Sequence, residues 1–427
     1  MSAKEAYKKP EIHLPDLPPE IWLAILREAT AECHPLRLPL YMEYPRPTTK
    51  MRNRWKQGIV TKRYVIRVCK LWYSLAIPFL YEHLVVSRSH SLKSLVESLS
   101  LESPFGLTGV TFGEYTYRLD ICFGEEPTTL DFYNVCTLLD KLPKLVVLRN
   151  MSADMRSSDD GSRPILKHAS SSLECMIWRG IDPTCPSIWE AFVSRHPNLR
   201  STVFPTPTQG ISGTGASFLS LPENITTLGT ADVLELANFC KQGTPIPNLR
   251  HLSFHDHRWY AGPNHGQSFT DESPALEVLG GRLQSLHFYS EHHHIDPVED
   301  LDGILSHCPN LKHLILSIKV WETVGCHERA HGVVTFGVQM IEKQMNAAEA
   351  KMFLHKVVDA KRGWLPNLRR VQFIDEWNVT HLQQKHRKVF NRALEQLREL
   401  GIVVHSFDER ELVPDRDPKA GGRIVGI

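Results

Sequence analysis

No uninterrupted apolar run in the 427-residue chain approaches the roughly 18 residues that a membrane-crossing helix needs, so no membrane partner is expected. The start, Met1-Ser2-Ala3-Lys4-Glu5 with Lys8 and Lys9 close behind, has no apolar run of the kind a secretory leader carries. The nine cysteines are scattered without a C-x-x-C pair, and reduced thiols in a cytoplasmic and/or nuclear setting are the expectation. Charge of one sign is also lacking: 49 Lys and Arg face 48 Asp and Glu, a net +1, so there is no field suited to gripping nucleic acid. Phosphate loops, dinucleotide fingerprints and the G-x-S-x-G elbow are missing as well. Gly210-Ile211-Ser212-Gly213-Thr214-Gly215 lacks the strand-to-helix setting of a phosphate cradle. No cofactor is expected.

What is present begins with two apolar-periodic segments. In the first, Leu17, Ile21 and Ile25 stand four apart, with Trp22, Leu26 and Ala29 filling the adjoining stripe, which predicts a helix with one wide apolar face. Pro18 and Pro19 suit its start, where a missing N–H costs nothing, and Glu20 suits the positive end of the helix dipole. In the second, Val65, Val68, Cys69, Trp72, Leu75 and Ala76 share a helical stripe that Pro78 is expected to stop. Two short helices are expected to bury these faces on each other.

Together these residues, Leu17-Pro18-x-Glu20-Ile21-x-x-x-Ile25-Leu26, then Val68-Cys69-Lys70-x-Trp72-x-x-Leu75-Ala76 and Pro78-Phe79-Leu80-Tyr81-Glu82-His83-Leu84, resemble the F-box in the form common in fungal proteins. The resemblance covers residues 14–86 and departs from the compact pattern by an insert at 31–63, rich in proline and basic residues. It implies docking on a Skp-type adaptor and, through it, a cullin, linking a substrate-binding module to a ubiquitin ligase. Leu17, Pro18, Glu20, Ile21, Ile25, Leu26, Val68, Cys69 and Trp72 are the adaptor-binding residues it implies. A unit this small cannot bury all of its apolar side chains within itself, so the following domain or a partner covers the rest.

Beyond it the chain repeats. Leu145-x-x-Leu148, Leu173-x-x-Met176-x-Trp178, Leu199-x-x-Thr202-x-Phe204, Ile225-x-x-Leu228, Leu249-x-x-Leu252-x-Phe254, Leu283-x-x-Leu286-x-Phe288, Leu311-x-x-Leu314-x-Leu316 and Leu368-x-x-Val371-x-Phe373 read as copies of one short strand. Pro-Asn-Leu precedes several of them, at Pro197, Pro247, Pro309 and Pro366. The anchors step by 28, 26, 26, 24, 34, 28 and 57 residues, the last holding one degraded copy. The units resemble irregular leucine-rich repeats, each a strand with a helical return such as 232–240 or 298–305. The alternating runs 117–123 and 401–407 read as end units, and 382–400 as a late helix with Phe390, Leu394 and Leu397 on one face.

The expected fold class is therefore α/β: a short N-terminal helical F-box, then a leucine-rich-repeat-like solenoid of strand and helix units over residues 87–411. Residues 1–13, the loop 205–215 and the tail 412–427 are expected to be flexible. If the strands form a parallel sheet, the third and fifth positions face outward. These are Arg149, His251, Ser253, Ser285, His287, His313, Arg370 and Gln372, a polar and weakly basic surface where a protein substrate would bind.

One match points to another class. His327-Glu328-Arg329-Ala330-His331 fits H-E-x-x-H, whose histidines on a helix would share a face as zinc ligands with the glutamate as general base. Gly325 and Gly332 bracket it and a strand-like run follows, so a loop between repeats is expected and no metal. The histidines at 251, 255, 257 and 292–294 are a weaker metal hint. The reading is a non-enzymatic substrate-recognition subunit of a cullin-type ligase, with a zinc metalloprotease or a repeat scaffold lacking any ligase link as alternatives.

Overall fold

The computed structural model describes residues 17–30, 49–102, 109–123, 128–150, 162–178, 186–203, 221–230, 236, 246–256, 273–290, 297–318, 324–340, 345–374, 376–406 and 410–414. Residues 1–13, the loop 205–215, the return at 232–240 apart from Leu236, and the histidines at 257 and 292–294 lie outside them.

Among the described residues three helices come first: α1 (Pro19–Thr30), α2 (Thr49–Val65) and α3 (Lys70–Glu82). The two-helix expectation is corrected, because the basic insert contributes α2. Its inward stripe is Trp55, Ile59, Lys62 and Ile66, at helical spacing, with Lys62 buried. A lysine in that stripe hides the period from an apolar-only reading. The expected second helix is also divided. Val68 and Cys69 fall in the α2–α3 turn, where Cys69 is extended and its sulfur accepts the Trp72 N–H at 3.4 Å as the cap of α3. Pro78 does not stop α3 but sits inside it, between the buried Ile77 and Phe79. Burial of those two side chains outweighs the backbone bond that Pro78 cannot donate.

Helix α3 then runs straight into β1 (His83–Val86), so the last residues of the 14–86 segment form the first strand of the sheet. On one side α3 gives Ala76 and Phe79 to the small helical core. On the other it gives Ile77 to the main core, and Tyr81 stacks on Phe112 with ring centres 4.7 Å apart.

Strand and helix alternate from there: α4 (Leu92–Leu99), β2 (Arg118–Ile121), α5 (Thr129–Leu139), β3 (Val147–Asn150), α6 (Ser162–His168), β4 (Cys175–Trp178), α7 (Pro186–Arg195) and β5 (Ser201–Val203). After β6 (Thr227–Thr230) and β7 (His251–Asp256) come α8 (Ser273–Leu279), β8 (Ser285–Ser290), α9 (Pro297–His307), β9 (His313–Ile318) and β10 (Thr335–Met340). The array closes with α10 (Ala347–Arg362), β11 (Arg370–Phe373), α11 (Glu376–Lys385), α12 (Arg387–Glu399) and β12 (Val403–His405). The late helix expected at 382–400 is thus two, parted at His386, although Phe390, Leu394 and Leu397 do bury one face.

The 12 strands form one sheet in chain order, each parallel to the next. This is a parallel strand–helix solenoid, with its helices on one face. Register places Leu84, Leu119, Leu148, Met176, Thr202, Leu228, Leu252, Leu286, Leu314, Phe336, Val371 and Val404 in one buried ladder. Each fully buried leucine there contributes about 1.5–3 kcal/mol. The degraded copy is β10, anchored by Val333 with Phe336 and Val338 inward.

Pro-Asn-Leu makes the lead-in turn. Proline suits its second position, and the leucine N–H returns to the carbonyl three residues back, as in Leu199 to His196, Leu249 to Ile246, Leu311 to Cys308 and Leu368 to Leu365. The asparagine amides then tie each turn to the preceding repeat: Asn248 Nδ2 donates to the Glu223 carbonyl at 3.0 Å, Asn310 to Gly281 at 2.7 Å and Asn367 to His331 at 2.9 Å. In the degraded copy Gly332 takes the asparagine's place, where a Cβ would lie 2.6 Å from the Leu311 carbonyl oxygen. At the far edge, residues 410–412 fold back on β12, with Leu412 N–H on the Val404 carbonyl at 2.8 Å. That contact blunts an otherwise open strand edge.

Candidate interaction surfaces

In the helical unit, period decides what is buried. Trp22, Leu26 and Thr30, four apart on α1, face inward with Val65, Ala76 and Phe79, and the Trp22 and Trp72 rings lie 5.2 Å apart. Rotated one position back, Ile21 and Ile25 point out and are 48% and 43% exposed. Leu23 at 37%, Val68 at 53% and Leu71 at 43% add to them, and Leu71 is one that sequence reasoning had not singled out. Pro18 and Glu20 are exposed and Leu17 is half-buried, whereas Leu26, Cys69 and Trp72 lie underneath or at the turn. With Val60 at 48% and Tyr64 at 68% on α2, seven large apolar side chains stand in water on this small unit, the kind of surface that another protein covers.

The sheet face away from the helices has two different ends. At the first, Asp120 is fully buried between His83 on β1 and Arg118 on its own strand, with Oδ2 3.0 Å from His83 Nε2 and 2.8 Å from an Arg118 guanidinium nitrogen. Burial works to raise the Asp120 pKa, but Arg118, then His83 and Arg149, outweigh it and hold the carboxyl below its ordinary value. Burial lowers His83, against Asp120, so the imidazole is neutral and donates its Nε2–H to the carboxylate. Arg149, expected to face a substrate, is 1% exposed and belongs to this cluster. Next to it Val147, Cys175, Ile177 and Val203 form a buried apolar patch on that same face. An aspartate and an arginine two apart in Arg118-Leu119-Asp120-Ile121 were the available signal.

At the second end, His287 is buried among polar neighbours. Ser317 gives its hydroxyl proton to Gln339 Oε1 at 2.8 Å and so accepts His287 Nε2–H at 2.9 Å, leaving Nδ1 to face the Ser253 hydroxyl at 3.3 Å. Burial pushes the His287 pKa down to about 3. Gln372 and Ser285 are buried too. Arg149, Ser253, Ser285, His287 and Gln372 take the expected face, but the expectation that they are open to a substrate is corrected: side chains in register on parallel strands sit about 4.8 Å apart and shield one another. His251 and His313 are half-buried and Arg370 is exposed.

The H-E-x-x-H tract lies in a loop and turn, not a helix. Asp302 Oδ1 holds it, accepting the backbone N–H of His327 at 2.6 Å and of Glu328 at 2.8 Å. Four-residue spacing does not put two imidazoles on one face without helical backbone. Among the described residues no group of three or more His, Cys, Asp and Glu is placed to hold a metal ion, and no helix is long and apolar enough to cross a membrane.

No protein-family model and no curated protein matches the chain. Among solved structures it is similar to the leucine-rich repeat-containing protein LegL7 from Legionella pneumophila, at 12% identity and a TM-score of 0.39, over 79% of this chain and 89% of that one.

Proposed function

We propose that this protein is the substrate-recognition subunit of a cullin-type ubiquitin ligase. The three-helix unit docks on a Skp-type adaptor, and the solenoid presents a protein substrate to an enzyme that others supply. The observation that carries this reading is the exposure of Ile21, Leu23, Ile25, Val68 and Leu71 on a three-helix unit whose sequence resembles an F-box. An apolar surface of this kind fits helices of a partner laid into it. The direct run of α3 into β1 supports the division of labour, because it fixes the docking unit to the array without a flexible joint. Catalysis is assigned to no residue of this chain.

The test is capture of a purified Skp-type adaptor. Ile25 is 43% exposed, so Ile25→Asp leaves the fold intact and places an unpaired charge in the interface. Binding falls below detection in the variant. Equal capture by wild type and variant would sink the docking surface, and no capture by wild type would leave a repeat scaffold without a ligase link.

A further inference from the structure

The solenoid carries a stripe of cations at the leading ends of alternate strands. Arg250 and His251 lead into β7, Lys312 and His313 into β9, and Arg369 and Arg370 into β11. The strands between, β8 and β10, lead in with the uncharged pairs Gln284-Ser285 and Val334-Thr335. Register fixes the alignment, since His251, Ser285, His313, Thr335 and Arg370 are successive partners across the sheet. Lys312, Arg369 and Arg370 are exposed, and Arg250, His251 and His313 are half-buried.

The fixed cations Arg250, Lys312, Arg369 and Arg370 repel one another and act on the imidazoles beside them. Burial, then His313 and Arg250, together lower the His251 pKa to about 4; burial, then Arg370 and Lys312, lower that of His313. Among the described residues none of the groups bearing on either imidazole is a carboxylate. A chain with net charge +1 has thus set like charges side by side along one edge of its sheet. The repulsion is relieved when an anion lies across the stripe.

We infer that this edge binds an extended acidic segment of a protein, laid across β7 to β11, whose carboxylates meet the cations of alternate strands. The inference rests on the substrate-presenting role proposed above and names the chemistry of that substrate. Two strand steps are about 10 Å, close to three residues of extended chain. Aspartate or glutamate at every third position therefore matches the spacing. Each alternate strand offers one or two cations, which suits singly charged carboxylates; a phosphoryl group calls for several donors converging on one point. The neutral imidazoles of His251 and His313 add hydrogen bonding without charge.

The probe is a labelled synthetic peptide with aspartate at every third position, beside its asparagine counterpart, measured by fluorescence anisotropy against the full chain. The aspartate peptide binds, the asparagine peptide does not, and added salt weakens the binding. The double variant Lys312→Glu with Arg370→Glu, both exposed positions, weakens it by at least about tenfold, with the thermal melt and adaptor capture unchanged. Absence of aspartate-peptide binding, equal binding of the asparagine peptide, or an unaltered affinity in the variant overturns the inference. Preference for a phosphoserine peptide, or for an oligonucleotide of equal charge, overturns it in favour of that ligand. Adaptor capture is read separately, so loss of the ligase reading and loss of the acidic-segment reading are distinct results.

Discussion

Arg149 and Arg370 occupy the same face of one sheet, eight strands apart, and have opposite fates. Arg149 is sealed beside Asp120, with burial lowering its pKa and the carboxylate opposing that shift. Arg370 stands in water and presses on His313. The repeat rule that places both is identical: a strand lead-in turn, an inward ladder, and side chains between. The difference lies in the neighbours. At the first end Asp120 is in register with Arg149 and reaches diagonally to His83, which is in register with Arg118, while at the second the register brings together basic and small polar residues. A shared face of the sheet defines orientation, and only the lateral neighbours define exposure.

The comparison breaks most sharply at Arg149. Arg149→Glu sets a second carboxylate beside buried Asp120, and the expected loss is about 5 kcal/mol or failure to fold. Asp120→Asn strands the buried arginines without their carboxylate and costs about 3–5 kcal/mol. Both are read by urea unfolding; a loss under 1 kcal/mol in either would show that the cluster is not a folding element. Leu314→Ala, in the inward ladder, should cost about 2–5 kcal/mol by opening a cavity, wherever along the array the repeat lies.

Acid provides a graded test. The folded-state pKa values of His287, at about 3, and His251, at about 4, lie below the ordinary 6.5, and His83, His196 and His313 are lowered too. A depressed histidine favours the unfolded chain once the pH falls below 6.5, because only the unfolded imidazole takes the proton. Asp120 acts in the same direction lower down, as its depressed pKa lets the unfolded carboxyl take a proton first and its contribution falls away as the pH drops below the ordinary carboxylate value. The urea midpoint is therefore level between about pH 7 and 8 and falls steadily from about pH 6.5 toward 4. His287→Gln should make that fall shallower. The smallest effect belongs to Arg370→Glu, within about 0.5 kcal/mol of wild-type stability.

Much of this was written in the residues themselves. The spacing of anchors and the Pro-Asn-Leu turns defined a parallel solenoid because each turn, ladder position and asparagine bridge uses residues within one repeat and its neighbour. Even the missing copy before Leu368 was counted by length alone. The helical period of Leu17 to Leu26 placed α1, although which of its two stripes turned inward did not follow from spacing. Local patterns failed where a distant surface overruled them. Lys62 sits in an inward stripe, Pro78 stays inside α3 because Ile77 and Phe79 are buried on either side, and β1 joins the sheet through pairing with residues 118–121.

The acid–base character of the sheet face away from the helices was decided in the same way. Arg149, His287 and Gln372 alternate as exposed residues do, and period-two alternation says which face a side chain takes, not whether water reaches it. Burial depends on strands tens of residues away in the chain and about 5 Å away in space. The sequence alone determined the repeat and its inward ladder, since both arise from contacts between adjacent units. The sealing of one arginine and the exposure of the other required the sheet to be assembled, because solvent access and electrostatic coupling belong to the neighbours that assembly brings.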